Sequence, residues 1–174
     1  SGVSLATLSM ANHPVTAFSD LQSAIPPNAP FSPDGRSVAY ARSDRGMPST
    51  IYVEPFPSTG AKYQLAVQGS PGTAHKPVWS HDGRELLYVP RLGGFEAVRV
   101  TTRPTFAFGN AVAIDRKFNP GAPAVRALYD ITPDDRFVGL VPMGDQARIY
   151  SAPTVQVVLN WFEEVRRGSA PSDR

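Results

Sequence analysis

A six-residue phrase that keeps returning constrains this chain more than anything else in it. Phe31-Ser32-Pro33-Asp34-Gly35-Arg36 comes back as Trp79-Ser80-His81-Asp82-Gly83-Arg84. It comes back again, altered, as Ile131-Thr132-Pro133-Asp134-Asp135-Arg136. The copies lie about fifty residues apart. Each has an apolar residue, a small hydroxyl residue, a tight turn, an arginine and then an apolar run. The runs are Ser37-Val38-Ala39-Tyr40-Ala41, Glu85-Leu86-Leu87-Tyr88-Val89 and Phe137-Val138-Gly139-Leu140-Val141. Asp-Gly is a strong hairpin signal, because Gly takes positive φ at no steric cost and Asp can hydrogen-bond the backbone two residues on. Pro33 and Pro133 preset φ for the turn. Asp34, Gly35, Asp82, Gly83, Asp134 and Asp135 are therefore read as turn residues. Asp135 stands where the other copies have Gly and tolerates left-handed backbone less well, so the third turn should be weaker or differently shaped. A turn repeated at this spacing, with short strands between, predicts an all-β chain: part of a β-propeller built from four-stranded antiparallel blades.

Taken in order, residues 4–10 and 15–18 read as two short strands joined by Ala11-Asn12-His13-Pro14. No copy of the phrase precedes them, so residues 1–20 look like half a blade. Residues 28–67 make the next blade, with strands near 28–31, 37–42, 50–54 and 62–67. The loop Pro55-Phe56-Pro57-Ser58-Thr59-Gly60 cannot be strand interior. Residues 76–115 repeat the plan, with strands at 77–80, 85–89, 95–101 and 111–115. A partial blade spans 127–159, with strands at 127–131, 137–141, 146–151 and 155–159. Asn160 and Glu163 mark a helix start, and residues 160–167 form a short C-terminal helix. Residues 168–174 read as a disordered tail. Propellers close with about four to eight blades. This count predicts an open arc whose exposed edges call for the remaining blades of a longer chain.

Composition narrows the function. The 174 residues are 41% hydrophobic and 18% charged, with 18 Pro and 14 Gly. That mixture suits short strands and turns and supports a core. Net charge is +2, and no basic run is longer than the pair Arg166-Arg167, which gives nucleic-acid binding little support. With no Cys there is no disulfide and no thiolate metal site. No apolar run approaches the roughly 18 residues of a membrane span. The first residues carry no basic-then-apolar leader.

The search for catalytic chemistry is mostly negative. Ser80-His81-Asp82 holds triad letters, but three adjacent residues in a turn cannot adopt nucleophile–base–orienter geometry. Gly2-Val3-Ser4-Leu5-Ala6 lacks the last glycine of a nucleophile elbow. His13, His75 and His81 show no ligand spacing, and no metal or cofactor is expected. Asp134-Asp135 belongs to the turn. Phe31, Tyr40, Trp79 and Tyr88 hold matching repeat positions and read as packing between blades; Trp161 and Phe162 read as docked on the last blade. One polar constellation is left. Asn28, His75, Lys76 and Arg126 lie just before the inner strands and should ring the mouth of a central channel. There they could hold a small acidic or peptide ligand, or serve as ordinary solvated loop residues.

The phrase Phe-Ser-Pro-Asp-Gly-Arg followed by Ala39-Tyr40 resembles the TolB-like propeller repeat, relatives of which occur in prolyl-oligopeptidase-type propellers. A longer ordered set carries a narrower resemblance across residues 28–167. It runs through Ile51-Tyr52-Val53-Glu54-Pro55-Phe56-Pro57, Pro77-Val78-Trp79-Ser80 with Asp82-Gly83-Arg84-Glu85-Leu86, and Val157-Val158-Leu159-Asn160-Trp161-Phe162-Glu163-Glu164. This set is similar to the C-terminal propeller region of bacterial Ser/Thr protein kinases of the eukaryotic type. The resemblance implies a non-catalytic, extracytoplasmic sensor or interaction module that binds a protein or small ligand. The kinase activity of that family belongs to a domain upstream and is not carried over to these residues. Two alternatives stay open: the gating propeller of a serine peptidase, and a stand-alone periplasmic interaction protein of the TolB kind.

Overall fold

A computed structural model describes residues 2–44, 47–66, 74–90, 94–114, 121, 125–134, 136–141 and 154–158. Twelve strands and no helix occur among them. β1 (Ala6–Leu8) pairs with β2 (Val15–Ala17). β3 (Ser37–Arg42), β4 (Thr50–Pro55) and β5 (Tyr63–Gln64) form a three-stranded meander. β6 (His75–Trp79), β7 (Glu85–Val89), β8 (Phe95–Thr101) and β9 (Ala107–Ile114) form a four-stranded one. β10 (Tyr129–Ile131), β11 (Phe137–Val141) and β12 (Thr154–Val158) complete the set. All pairs are antiparallel, and none of these sheets closes on itself.

Alternation along the strands explains how the sheets stack. In β3, Val38 and Tyr40 point one way and pack with Phe18 and Leu21, just after β2. Ala39 and Ala41 point the other way and join Ile51, Val53, Trp79, Leu86 and Tyr88 in the seam with the four-stranded sheet. β7 repeats the arrangement one sheet further on. Leu86 and Tyr88 face back into that seam, while Leu87 and Val89 meet Phe95, Tyr129 and Phe137 on the far side. A strand with both faces covered reads as a continuous apolar run, and every residue of β7 is buried. Each fully buried side chain of this size contributes about 1.5–3 kcal/mol.

Single hydrogen bonds stitch one sheet to the next. Trp79 Nε1 donates to the carbonyl of Pro30 at 3.3 Å. The Tyr129 hydroxyl donates to the carbonyl of Lys76. Trp79, Tyr40 and Tyr88 are buried between sheets. Phe31 is not: it is 49% exposed, and its ring meets Phe56 edge-on at 5.0 Å. The difference is one of neighbours, because Trp79 lies against the strand system before it, whereas β1 and β2 form a two-stranded sheet that gives Phe31 no such wall.

Several expected strands are shorter or shifted. Residues 28–31 make no full inner strand. They pair through one bridge, Phe31 with Val38, flanked by Ala39 N to Pro30 O at 3.0 Å and Ser32 N to Ser37 O at 2.8 Å. Pro26, Pro27 and Pro30 lack the N–H groups a ladder needs. The expected strand at 62–67 shrinks to Tyr63–Gln64, and with residues 28–31 reduced to a bridge this sheet has three strands where four were expected. β9 begins at Ala107, earlier than 111, and takes Phe108 and Gly109 into the ladder through a register shift between Val98 and Val100. β12 pairs along the whole of β11, the place a strand at 146–151 would have taken. Residues 146–151, the helix at 160–167 with Trp161 and Phe162, and the tail at 168–174 lie outside the described residues.

Candidate binding sites

The three turns come first, because they place the exposed ends of the sheets. In the first copy the Ser32 hydroxyl donates to Asp34 Oδ1 at 2.7 Å and accepts from the Ser37 amide at 2.9 Å. The same Asp34 oxygen accepts from the Arg36 amide at 3.0 Å. The second copy reproduces this set. Ser80 donates to Asp82 at 2.8 Å, Glu85 N donates to Ser80 at 2.9 Å, and Arg84 N donates to Asp82 at 3.0 Å. Ser80 therefore spends its proton on Asp82 rather than on His81, which is exposed. Gly35 and Gly83 sit at φ 70° and 69°, the left-handed conformation the turn demands.

The third turn has a different shape. Thr132 N donates to Arg136 O at 2.8 Å, whereas Ser32 and Ser80 reach one residue further, to Ser37 and Glu85. Ile131 accordingly pairs with Phe137 in a loop one residue tighter than Trp79 with Leu86. Thr132 still donates to Asp134, at 2.6 Å, and Arg136 Nε lies 2.6 Å from the second Asp134 oxygen. The Arg136 guanidinium and the Thr132 hydroxyl hold the Asp134 carboxyl below the usual carboxylate range. Asp135 lies outside the described residues.

The residues expected at the channel mouth are placed as follows. His75 and Lys76 are not loop residues: they open β6 and are buried, at 2% and 0% exposure. Lys76 has φ 56°, unusual for a residue with a Cβ, within a register irregularity between His75 and Val78. Burial pulls the Lys76 amine down to about 8. Burial and the neighbouring Lys76 charge pull His75 down to about 4, and His75 Nδ1 has no hydrogen-bond partner among the described residues. The Lys76 amino group packs on Gly121, where an added Cβ would stand 2.7 Å from Nζ. The same Cβ would meet Val125 and Leu128, so Lys76 touches the segment that carries Arg126. Arg126 is exposed, and Asn28 is half-buried.

A second buried cluster is a clamp. Glu54 is fully buried, and its Oε1 accepts from the Tyr40 hydroxyl and from Ser19 Oγ at 3.0 Å. Lys62 stands 3.7 Å from the same oxygen and also pairs with Asp20. Desolvation, followed by the bond to Glu54, raises the Tyr40 hydroxyl pKa above its ordinary value. The cluster ties the segment after β2 to β3, β4 and the approach to β5.

Two clefts lie at the turn ends of the sheets. The first, about 520 Å³, runs between the first turn and the β8–β9 connection, with Arg36 on one wall and Arg103 on the other. Tyr63 and Phe106 form part of its lining and stack with centroids 4.1 Å apart. The second, about 560 Å³, is lined by Asp82, Arg84, Arg99 and again Arg103. No single motif in the sequence brings these arginines together. Arg36 and Arg84 were visible as the basic residue of the repeated phrase, but nothing local to Arg99 or Arg103 announces that the fold delivers them to the same place. Among the described residues no group of three or more His, Asp or Glu side chains could hold a metal ion, and no helix is long and apolar enough to cross a membrane.

No protein-family model and no curated protein matches the chain. Solved structures do. TolB from Acinetobacter baumannii superposes with a TM-score of 0.60 at 16% identity, over 88% of this chain and 34% of that one. A functionally unknown protein from Desulfotomaculum acetoxidans DSM 771 gives 0.54 at 12% identity, over 91% and 51%. The chain thus spans about a third of the length of the first and half of the second. Likeness at these identities establishes the fold, which is TolB-like and all-β.

Proposed function

We propose that this chain is part of a non-catalytic propeller that binds a protein or a small ligand, and that it serves as the extracytoplasmic sensor region of a bacterial Ser/Thr protein kinase. The observation that carries the binding role is the stacking of small sheets face to face with all three repeated turns at the ends of their strands, in a TolB-like arrangement. Such a scaffold is rigid within each sheet and presents loops at both ends, which suits recognition. Ser80, the one serine with triad letters beside it, is consumed by the turn. The kinase context rests on the ordered residue set described above.

On this reading the strand-start end, with Asn28, His75, Lys76 and Arg126, is one place to receive an acidic or peptide ligand. Arg126 offers the exposed charge, and the buried Lys76 supports the segment that carries it through Gly121. The parent gene tests the context. A kinase domain encoded ahead of Ser1 supports the sensor role, and a hydrolase domain with Gly-x-Ser-x-Gly replaces it with peptidase gating. A secretion leader alone makes it a stand-alone interaction protein. The ligand end is tested with a photo-crosslinking residue at position 126 of the full-length protein. A discrete crosslinked partner that disappears in Lys76→Ala supports the assignment, and an unchanged adduct removes it.

A further inference from the structure

The two clefts at the turn ends share a wall made by Thr102 and Arg103. Arg36 faces it from one side; Arg84 and Arg99 face it from the other. All four arginines are exposed. Arg84 stands 3.9 Å from Asp82 Oδ2, too far for a strong pair. Arg36, Arg99 and Arg103 form no ion pair with any described residue. Asp34, Asp82 and Glu85 do border the clefts. Asp34 and Asp82 each commit Oδ1 to a serine hydroxyl and a backbone amide of their own turn, and Glu85 is buried at the foot of β7, across from Arg99. The guanidinium groups are left over.

The turns that carry Arg36 and Arg84 are in contact, since a Cβ on Gly83 would lie 3.5 Å from Pro33 Cδ. The clefts are therefore neighbours on one surface, running across the seam between two sheets. We propose that they form a single arginine-lined groove that binds an extended acidic peptide segment of a partner protein. Guanidinium groups present a planar fork that matches carboxylates in two-point contact. Arginines on both sides of Arg103 ask for carboxylates spaced along a chain, which an extended peptide supplies on alternate residues. The stacked Tyr63–Phe106 pair gives the peptide an apolar floor in the first cleft. A nucleic-acid backbone is the poorer fit, because binding of that kind draws on a broad basic surface and this chain's net charge is only +2.

The test is fluorescence anisotropy on the 174-residue chain with a labelled oligoglutamate peptide. Binding is expected, weakening as salt rises. Arg36→Gln with Arg103→Gln, and separately Arg84→Gln with Arg99→Gln, should each reduce affinity about tenfold or more. Arg42→Gln, at the opposite end of β3 and lining neither cleft, should leave it unchanged and so separates the groove from a general loss of positive charge. The groove side chains are exposed, so the thermal unfolding midpoint of each groove variant should match the parent and exclude misfolding as the cause. Absence of peptide binding overturns the proposal, as does equal loss in all three variants. Tighter binding of inorganic phosphate, succinate or single-stranded DNA than of the peptide overturns it as well.

Discussion

Ser80 is fully buried, and its hydroxyl works in both directions: it donates to Asp82 and accepts from the Glu85 amide. Ser80→Ala leaves that buried amide without a partner. We expect a loss of about 1–3 kcal/mol, read from urea unfolding. Gly83 supplies the left-handed residue of the same turn. Gly83→Ala should cost about 1 kcal/mol by strain, since its Cβ would make only ordinary contact with Pro33. His75 adds a pH dependence. Its folded pKa is held near 4, below the ordinary 6.5. Between those values the unfolded chain binds a proton that the folded chain refuses, so stability falls as pH drops from about 6.5 towards 4. The loss is on the order of 3 kcal/mol and should vanish in His75→Leu, with urea midpoints across pH as the check.

At the scale of elements, sheet contact depends on a few large side chains at repeat positions. Trp79 fills the seam between β3–β5 and β6–β9 and donates across it to Pro30. Trp79→Ala should cost about 3–5 kcal/mol, whereas Phe31→Ala, at the same point of the phrase but half-exposed, should cost well under half of that in the same unfolding assay. The repeated phrase alone could not separate these two. Both are aromatic residues before a hydroxyl and a turn, and only the wall each one meets sets its worth. The third turn is one residue tighter than the other two and gives Phe137 a shifted partner.

For the whole molecule, stability should grade along the stack. The four-stranded sheet is covered on both faces, while β1 and β2 expose Leu8, Val15 and the nearby Met10 at 54%, 70% and 82%. Amide exchange followed by mass spectrometry should find β7 and β8 slowest and β1–β2 fastest. Uniform protection across all sheets would contradict the layered packing described above. Removing the clamp at Glu54 should accelerate exchange in the segment 18–21 before it affects β7, because Ser19, Asp20, Tyr40 and Lys62 all converge there.

Local grammar was enough to determine the all-β class, the hairpin turns and the rough position of most strands. A turn needs Gly or Asp at fixed places, and a strand needs alternation, and both are written in neighbouring residues. The prolines before Phe31 also explain, after the fact, why an inner strand there is reduced to a bridge. What depended on the tertiary structure was burial and assembly. It put Lys76 and His75 inside, where a loop position beside an inner strand had promised exposure. It also gathered Arg36, Arg84, Arg99 and Arg103 from two sheets around one groove. Desolvation and the meeting of distant charges are properties of the packed whole. They depend on which surface lies opposite a residue, and a residue's own neighbours in sequence do not carry that information.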